Sequence, residues 1–319
     1  MSELNVTLLA GGVGGAKMAE GFAAQPSVNL TVIGNVADDA AFHGLWVSPD
    51  IDTMVYTLAD VIDRKQGWGV ADEGRRALDT LTMLGEDTWM FLGDRDFGLH
   101  IHRTKRIAAG ERRSVIAADV ARAFGVTAKI VLPTDDIVQT RVRTDTGWLG
   151  FQEYFVREKC GPEVHEIVFE GIETARPTAE ALEAVSTADL LVIAPSNPLV
   201  SIAPILGVPG LRQAVADASA PCVAVSPLIA GKVVKGPADR MLSGLGHRPD
   251  SAGVAALYAD IVDLMVIDQL DANLIADIEQ TGLSVAATDI LMRDGPDKAR
   301  LAAEVLAMAH QVMAEGSVA

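Results

Sequence analysis

Several short loops in this sequence bring glycines, carboxylates and a lysine to the ends of apolar runs. The first is Gly11-Gly-Val-Gly-Gly-Ala-Lys17. Glycines let backbone N–H groups approach an anion, and the start of a following helix adds its positive dipole end. A Walker loop needs Ser or Thr after its lysine, where Met18 stands, and a dinucleotide loop wants a third glycine in place of Lys17. A different kind of phosphate loop is expected, set against a plain turn that packs helix on strand. Asp38 and Asp39 end the second loop, Gly34-Asn-Val-Ala-Asp-Asp39, and suit a hard cation, a ligand hydroxyl or an ordinary turn. In Ser48-Pro-Asp-Ile-Asp-Thr53, an extended chain would turn Asp50 and Asp52 the same way, so that they share a Mg²⁺. The alternative is that they cap a helix starting near Thr53.

A fourth loop, Phe91-Leu-Gly-Asp-Arg-Asp96, holds Arg95 between two carboxylates, free to fork onto a phosphate or a ring carbonyl. The bland reading is a solvated ion-pair cluster. His100 and His102 follow without a third partner for a metal. Ser196 and Asn197 stand in Leu191-Val-Ile-Ala-Pro-Ser-Asn-Pro198. Pro227–Pro237 repeats the strand-then-glycine pattern with Lys232 and Lys235.

Such loops need a frame to converge. Leu4–Ala10 and Leu30–Asn35 read as strands around a helix over Ala16–Ala24, a βαβ unit. Further strands are expected at Ala128–Leu132, Glu166–Glu170, Leu190–Ala194, Cys222–Ser226 and Leu264–Asp268. They alternate with helical patterns at Ser114–Phe124, Thr178–Val185, Gly210–Ala218, Ser251–Ala259 and Pro296–Met313. That alternation predicts an α/β fold: a Rossmann-like, mostly parallel sheet flanked by helices, which puts strand-end loops on one edge. Gln139–Thr144 and Trp148–Arg157, around Asp145-Thr-Gly, read as a β-hairpin. One α/β domain over residues 1–319 is expected, with a mainly helical insertion at about 51–126.

Composition narrows the function. A net charge of −17 argues against nucleic acid, whose backbone is bound by clustered Lys and Arg. The most apolar stretch, Ala188–Gly210, is broken by Pro195, Pro198 and Pro204, so no membrane span is expected. The N-terminal residues lack the pattern of a signal peptide, and Cys160 and Cys222 read as buried thiols in a reducing, cytoplasmic setting. A homodimer is the expectation for a soluble enzyme.

Taken in order, the motifs resemble the 2-phospho-L-lactate transferase family of deazaflavin coenzyme (F-420) biosynthesis. The matching run is GGVGGAK at Gly11–Lys17, N-x-x-DD at Asn35–Asp39, HG at His43–Gly44 and SPDIDT at Ser48–Thr53. It continues with GWG at Gly67–Gly69, LGDRD at Leu92–Asp96, PSNP at Pro195–Pro198 and GPADR at Gly236–Arg240. The resemblance implies a Mg²⁺-dependent transferase with two small-molecule substrates. A guanosine diphosphate-linked three-carbon phospho-acid would pass to the ribityl hydroxyl of a deazaflavin, releasing GMP. The acid would be 2-phospho-L-lactate, phosphoenolpyruvate or phosphoglycerate. By the same resemblance, Gly12, Gly14, Gly15, Lys17, Asn35, Ser196 and Asn197 are guanylyl or diphosphate contacts, and Asp52 and Arg95 are acceptor contacts. Asp50 and Asp52 are the expected metal ligands and catalytic carboxylates. Two rivals share the glycine loop: a non-enzymatic, nucleotide-sugar-binding regulator of the same fold, and a nicotinamide-dependent dehydrogenase.

Overall fold

The computed structural model describes residues 3–316. Leu4–Ala10 forms strand β1, whose branched residues are buried on both faces, as a central parallel strand requires. Helix α1 (Gly12–Ala23) follows at once, and Val28–Gly34 forms β2 in register with β1. A small antiparallel ribbon, β3 (Ala40–Phe42) and β4 (Leu45–Val47), precedes four helices. These are α2 (Pro49–Leu58), α3 (Arg76–Met83), α4 (Asp94–Ala108) and α5 (Arg113–Ala123). The chain re-enters the sheet as β5 (Lys129–Val131), then leaves it for β6 (Gln139–Thr144), β7 (Gly147–Gly150) and β8 (Val164–Glu170). The remaining strands are β9 (Leu190–Ile193), β10 (Cys222–Val225), the short pair β11 (Leu228–Ile229) and β12 (Lys232–Val233), β13 (Leu264–Asp268) and β14 (Ser284–Thr288).

Seven strands make one parallel sheet in the order β14-β13-β10-β9-β1-β2-β5. The strand order turns at β1, which runs outward to β2 on one side and meets β9 on the other. In such sheets the crevice for a ligand lies beyond the carboxyl ends of those two strands. Apolar side chains from the sheet's two faces pack into separate cores. Val6, Leu8 and Val32 belong to one and Leu9, Ile33 and Val131 to the other.

Three expectations change and one strand is added. Glu166–Glu170 is not a strand of the parallel sheet; β8 pairs antiparallel with β6 in a separate three-stranded sheet, β7-β6-β8. The hairpin's second arm ends at Gly150, and Glu153–Arg157 is a single π-helical segment rather than strand. Ser284–Thr288 is an edge strand whose small, half-exposed residues carry too little apolar signal to be seen in sequence. The stretch holding Asp50 and Asp52 is helical from Pro49 onward rather than extended, because proline is favoured in the first turn.

Both cysteines are buried, unbridged thiols. Among the described residues no helix is long and apolar enough to cross a membrane.

Candidate active site

A cleft of about 570 Å³ opens at the β1/β9 crevice. Its floor is the glycine segment, and α1 begins at Gly12 rather than at Ala16, so Gly11–Gly14 is the first turn of the helix itself. The Gly11 N–H is bonded to Ser196 Oγ and the Gly12 N–H to Asp50, while Val13 and Gly14 border the cleft at the positive end of the helix, where an anion is favoured. The glycines divide the work. A side chain at Gly14 would put its first carbon 2.2 Å from the carbonyl oxygen of Pro195, so only glycine lets the helix meet the loop after β9. Gly15 packs the helix on Ala10 and Ser196 and does not line the cleft, whereas Gly12, Gly14 and Lys17 do. Ser196 locks the loop to the helix, donating to the Gly11 carbonyl at 2.8 Å and accepting the Gly11 N–H at 3.3 Å. Asn197 caps the next segment by accepting the Leu199 N–H at 2.9 Å and also lines the cleft. Lys17 donates to the Met292 carbonyl at 2.9 Å, and burial together with the neighbouring Lys298 charge lowers its pKa.

The carboxylates separate sharply. Residues two apart in an α-helix point in very different directions. Asp50 lines the cleft, with Oδ2 accepting from the Asn35 amide at 2.9 Å. Asp52 turns inward and is buried. Both guanidinium Nη groups of Arg103 donate to it, one at 3.1 Å, and His100 lies 3.9 Å away. The paired turn toward one ion expected for Asp50 and Asp52 is therefore not formed. Asn35 does not line the cleft; it holds Asp50 and also donates to the Val200 carbonyl at 3.3 Å.

Asp38, rather than Asp52, is the partner that tertiary structure brings to Asp50. Asp38 is buried and lines the same cleft. Burial, and then the charge of Asp50, hold its carboxyl well above the usual carboxylate range. Protein encloses Asp50 closely and pushes its pKa up to about 6, although the Asn35 amide and the Gly12 N–H oppose the rise. Two enclosed carboxylates that repel one another provide the hard oxygen donors that Mg²⁺ prefers. The described residues contain no group of three or more His, Cys, Asp or Glu arranged to hold a metal alone. The pair thus fits an ion that keeps water and substrate oxygens in its shell.

Asp39 has a different task. Its Oδ2 accepts from Ser48 Oγ at 2.8 Å, Trp46 Nε1 at 3.1 Å and Arg113 at 3.4 Å, fixing the β3–β4 ribbon. Arg95 is exposed at the start of α4 and does not line the cleft, its guanidinium reaching the Ala71 carbonyl at 3.4 Å. Its neighbour Phe91 does line the cleft, with Trp68, Phe151 and Phe155, an aromatic wall suited to a flat heterocycle. Lys235, between the glycines of Gly231 and Gly236, reaches across to the Gln66 carbonyl and also lines the cleft, while Lys232 faces Asp239 on the surface. Trp68 stands in the GWG motif and Phe91 opens the Phe91–Asp96 loop, but nothing in the sequence showed that these aromatics, from three separate segments, share one wall.

A parallel sheet with a helix start and a carboxylate pair at its switch point is the architecture of an α/β protein whose ligand crevice lies at the strand ends. The match to known families is specific. Residues 6–306 match the model of the family described as 2-phospho-L-lactate transferase CofD, and the chain belongs to that family. It is 37% identical to a protein from Streptomyces griseus named phosphoenolpyruvate transferase, over 98% of this chain and all of that one. It is 39% identical to one of the same name from Kitasatospora aureofaciens, over 97% of this chain and 99% of the relative. A 2-phospho-L-lactate transferase from Methanopyrus kandleri is 36% identical, over 97% of this chain and 99% of its own. A crystal structure of a UPF0052 family member from Bacillus halodurans superposes with a TM-score of 0.64 at 15% identity, covering 96% of this chain and 99% of that one, a likeness of fold.

Proposed function

We propose that this transferase moves a phosphorylated three-carbon acid from a guanosine diphosphate-linked donor to the terminal ribityl hydroxyl of a deazaflavin, releasing GMP. The observation that carries the reading is the meeting of Asp38 and Asp50 beside the N-terminal turn of α1, within an aromatic-walled cleft. The donor's diphosphate lies at the start of α1 beside Val13 and Gly14, with Lys17 and Lys235 as nearby cations. Asn197 and the Ser196 loop border the same surface. Asp38 and Asp50 would hold Mg²⁺, which when bound neutralises charge on the diphosphate.

The protein's own part is positioning. The acceptor hydroxyl oxygen forms a bond to the β-phosphorus, the bond from that phosphorus to the bridging oxygen breaks, and GMP leaves with the electron pair. The hydroxyl proton passes to a carboxylate oxygen of the Asp38–Asp50 pair that the ion would leave free. Asn35 fixes the acceptor side of this pair by holding Asp50 Oδ2. Asp52 supports the site at a distance, by fixing Arg103, instead of touching substrate or metal.

Mass spectrometry of reactions with the deazaflavin, Mg²⁺ and each of the phospholactyl, phosphoenolpyruvyl and phosphoglyceryl donors tests this. A phospho-acid adduct with stoichiometric GMP, lost on adding EDTA, is expected from one donor. No adduct from any donor would overturn the reading.

A further inference from the structure

An arginine outside every sequence motif braces the acidic wall of the cleft. Arg113 opens α5, is 9% exposed and lines no part of the cleft. Its Nε donates to the Asp135 carbonyl at 3.0 Å, Nη2 donates to the Asp136 carbonyl, and Nη1 donates to Asp39 Oδ2 at 3.4 Å. Its guanidinium carbon also lies 5.5 Å from the centre of the Trp46 ring. The side chains of the 135–136 turn do not require this cation. Asp135 is met by Arg112 Nε and by the Ser114 N–H, each at 2.7 Å, and Asp136 by the Arg176 N–H at 2.8 Å. Arg113 therefore grips the backbone of that turn and gives its charge to Asp39, a planar fork that lysine cannot reproduce.

The fork joins the two supports of Asp38. One is Asp39, the next residue in the chain. The other is the turn at Asp135–Asp136, which leads into β6. β6 holds the carbonyls on both sides of Asp38: the Thr140 N–H donates to Ala37 at 2.7 Å and the Gln139 side chain to Asp39 at 3.0 Å. The Thr140 hydroxyl bonds the Asp38 carboxylate itself. Arg113 closes this bracket from behind. It also acts through charge, because Asp39 adds to the repulsion on Asp38 and the guanidinium offsets it. We infer that Arg113 is a positioning residue for the reaction: by tying Asp39 to the turn before β6, it fixes the direction in which Asp38 presents its carboxylate to a cation. The inference rests on the reading of Asp38 and Asp50 as the Mg²⁺ pair, and it assigns Arg113 no contact with substrate or ion.

The test is Mn²⁺ binding to the full-length protein, counted by electron paramagnetic resonance, since Mn²⁺ takes the same oxygen donors as Mg²⁺ and is read without turnover. Arg113→Lys keeps the charge beside Asp39 and loses the fork. Its Mn²⁺ Kd should rise about 10-fold or more, the usual effect of removing a partner that orients a metal ligand, with GDP affinity in EDTA unchanged. Arg112→Met, which removes the neighbouring contact to Asp135, should bind Mn²⁺ as wild type does. An unchanged Mn²⁺ Kd in Arg113→Lys overturns the assignment. So does equal weakening in Arg112→Met, or a parallel loss of GDP affinity, since either would make Arg113 a general support of the fold. If Arg113→Lys does not fold, Arg113→Ala is titrated with and without millimolar guanidinium. Recovery of tight Mn²⁺ binding by guanidinium supports the assignment, and no recovery overturns it. A wild type that binds no Mn²⁺, or binds it only as well as Asp50→Asn does, ends the metal reading and this inference together. Normal Mn²⁺ binding by wild type with Arg113→Lys unaffected ends this inference alone.

Discussion

Asp50 and Asp52 share a motif, a helical turn and a charge, yet the fold treats them as opposites. Asp50 faces a cleft with one oxygen held by Asn35, whereas Asp52 is sealed against Arg103 and His100. The neighbouring pair repeats the division by position: Asp38 lines the cleft, and Asp39, outside it, has Oδ2 held by Ser48, Trp46 and Arg113. In each pair one carboxylate is kept available at the cost of its own solvation, and the other stabilises the wall that holds it. Chemistry and architecture are thus separated within a few residues, and they should fail separately.

The largest effect should come from the architectural side. Asp52→Asn leaves the buried Arg103 charge without its partner, and denaturant unfolding should show a loss of about 3–5 kcal/mol. Replacing both members, Asp52→Asn with Arg103→Met, should recover much of it. A stable Asp52→Asn protein with no activity would reverse the assignment and return Asp52 to the reacting centre.

Asp50→Asn should do the opposite. Turnover should fall about 100-fold or more, as expected when a general base that also binds metal is removed, while circular dichroism stays that of the wild type. Normal turnover in this variant would remove Asp50 from the mechanism.

Stability against pH sharpens the contrast. The folded pKa of Asp50, about 6, lies above the unfolded value of about 4, so the folded state binds the extra proton. Its unfavourable contribution is absent below pH 4, grows through the interval and is complete above about pH 6. In EDTA, Asp50→Asn should therefore melt higher than wild type at pH 7.5, the two converging near pH 4. A wild type that is the more stable at pH 7.5 would contradict the enclosed environment described for Asp50. Adding Mg²⁺ at pH 7.5 should raise the Tm of wild type and leave Asp50→Asn unmoved, a readout independent of turnover.

The smallest effect is expected from Asn35→Ala, which leaves Asp50 in place but frees its Oδ2. Loss of a hydrogen bond to a charged group is worth about 1.5–3 kcal/mol, and it should appear mainly in turnover, with GDP affinity kept. Equal losses in GDP binding would make Asn35 a nucleotide contact after all.

Much of this was legible in the sequence. The strand-glycine-helix pattern at Leu4–Lys17 and the apolar runs at Leu190, Cys222 and Leu264 specify a parallel sheet, because strands buried on both faces need unbroken hydrophobic residues. That sheet carries Gly11–Lys17 and Pro195–Asn197 to one edge, so the meeting of those loops follows from chain order and handedness. What the sequence left open was direction. Whether Asp50 turns to the cleft with Asp38 or inward with Asp52 depends on a helix starting at Pro49 and on an arginine 51 positions further on. Local residue types determine which groups exist and which strands form; burial and long-range pairing, which no local pattern encodes, decide which of those groups remain free to react.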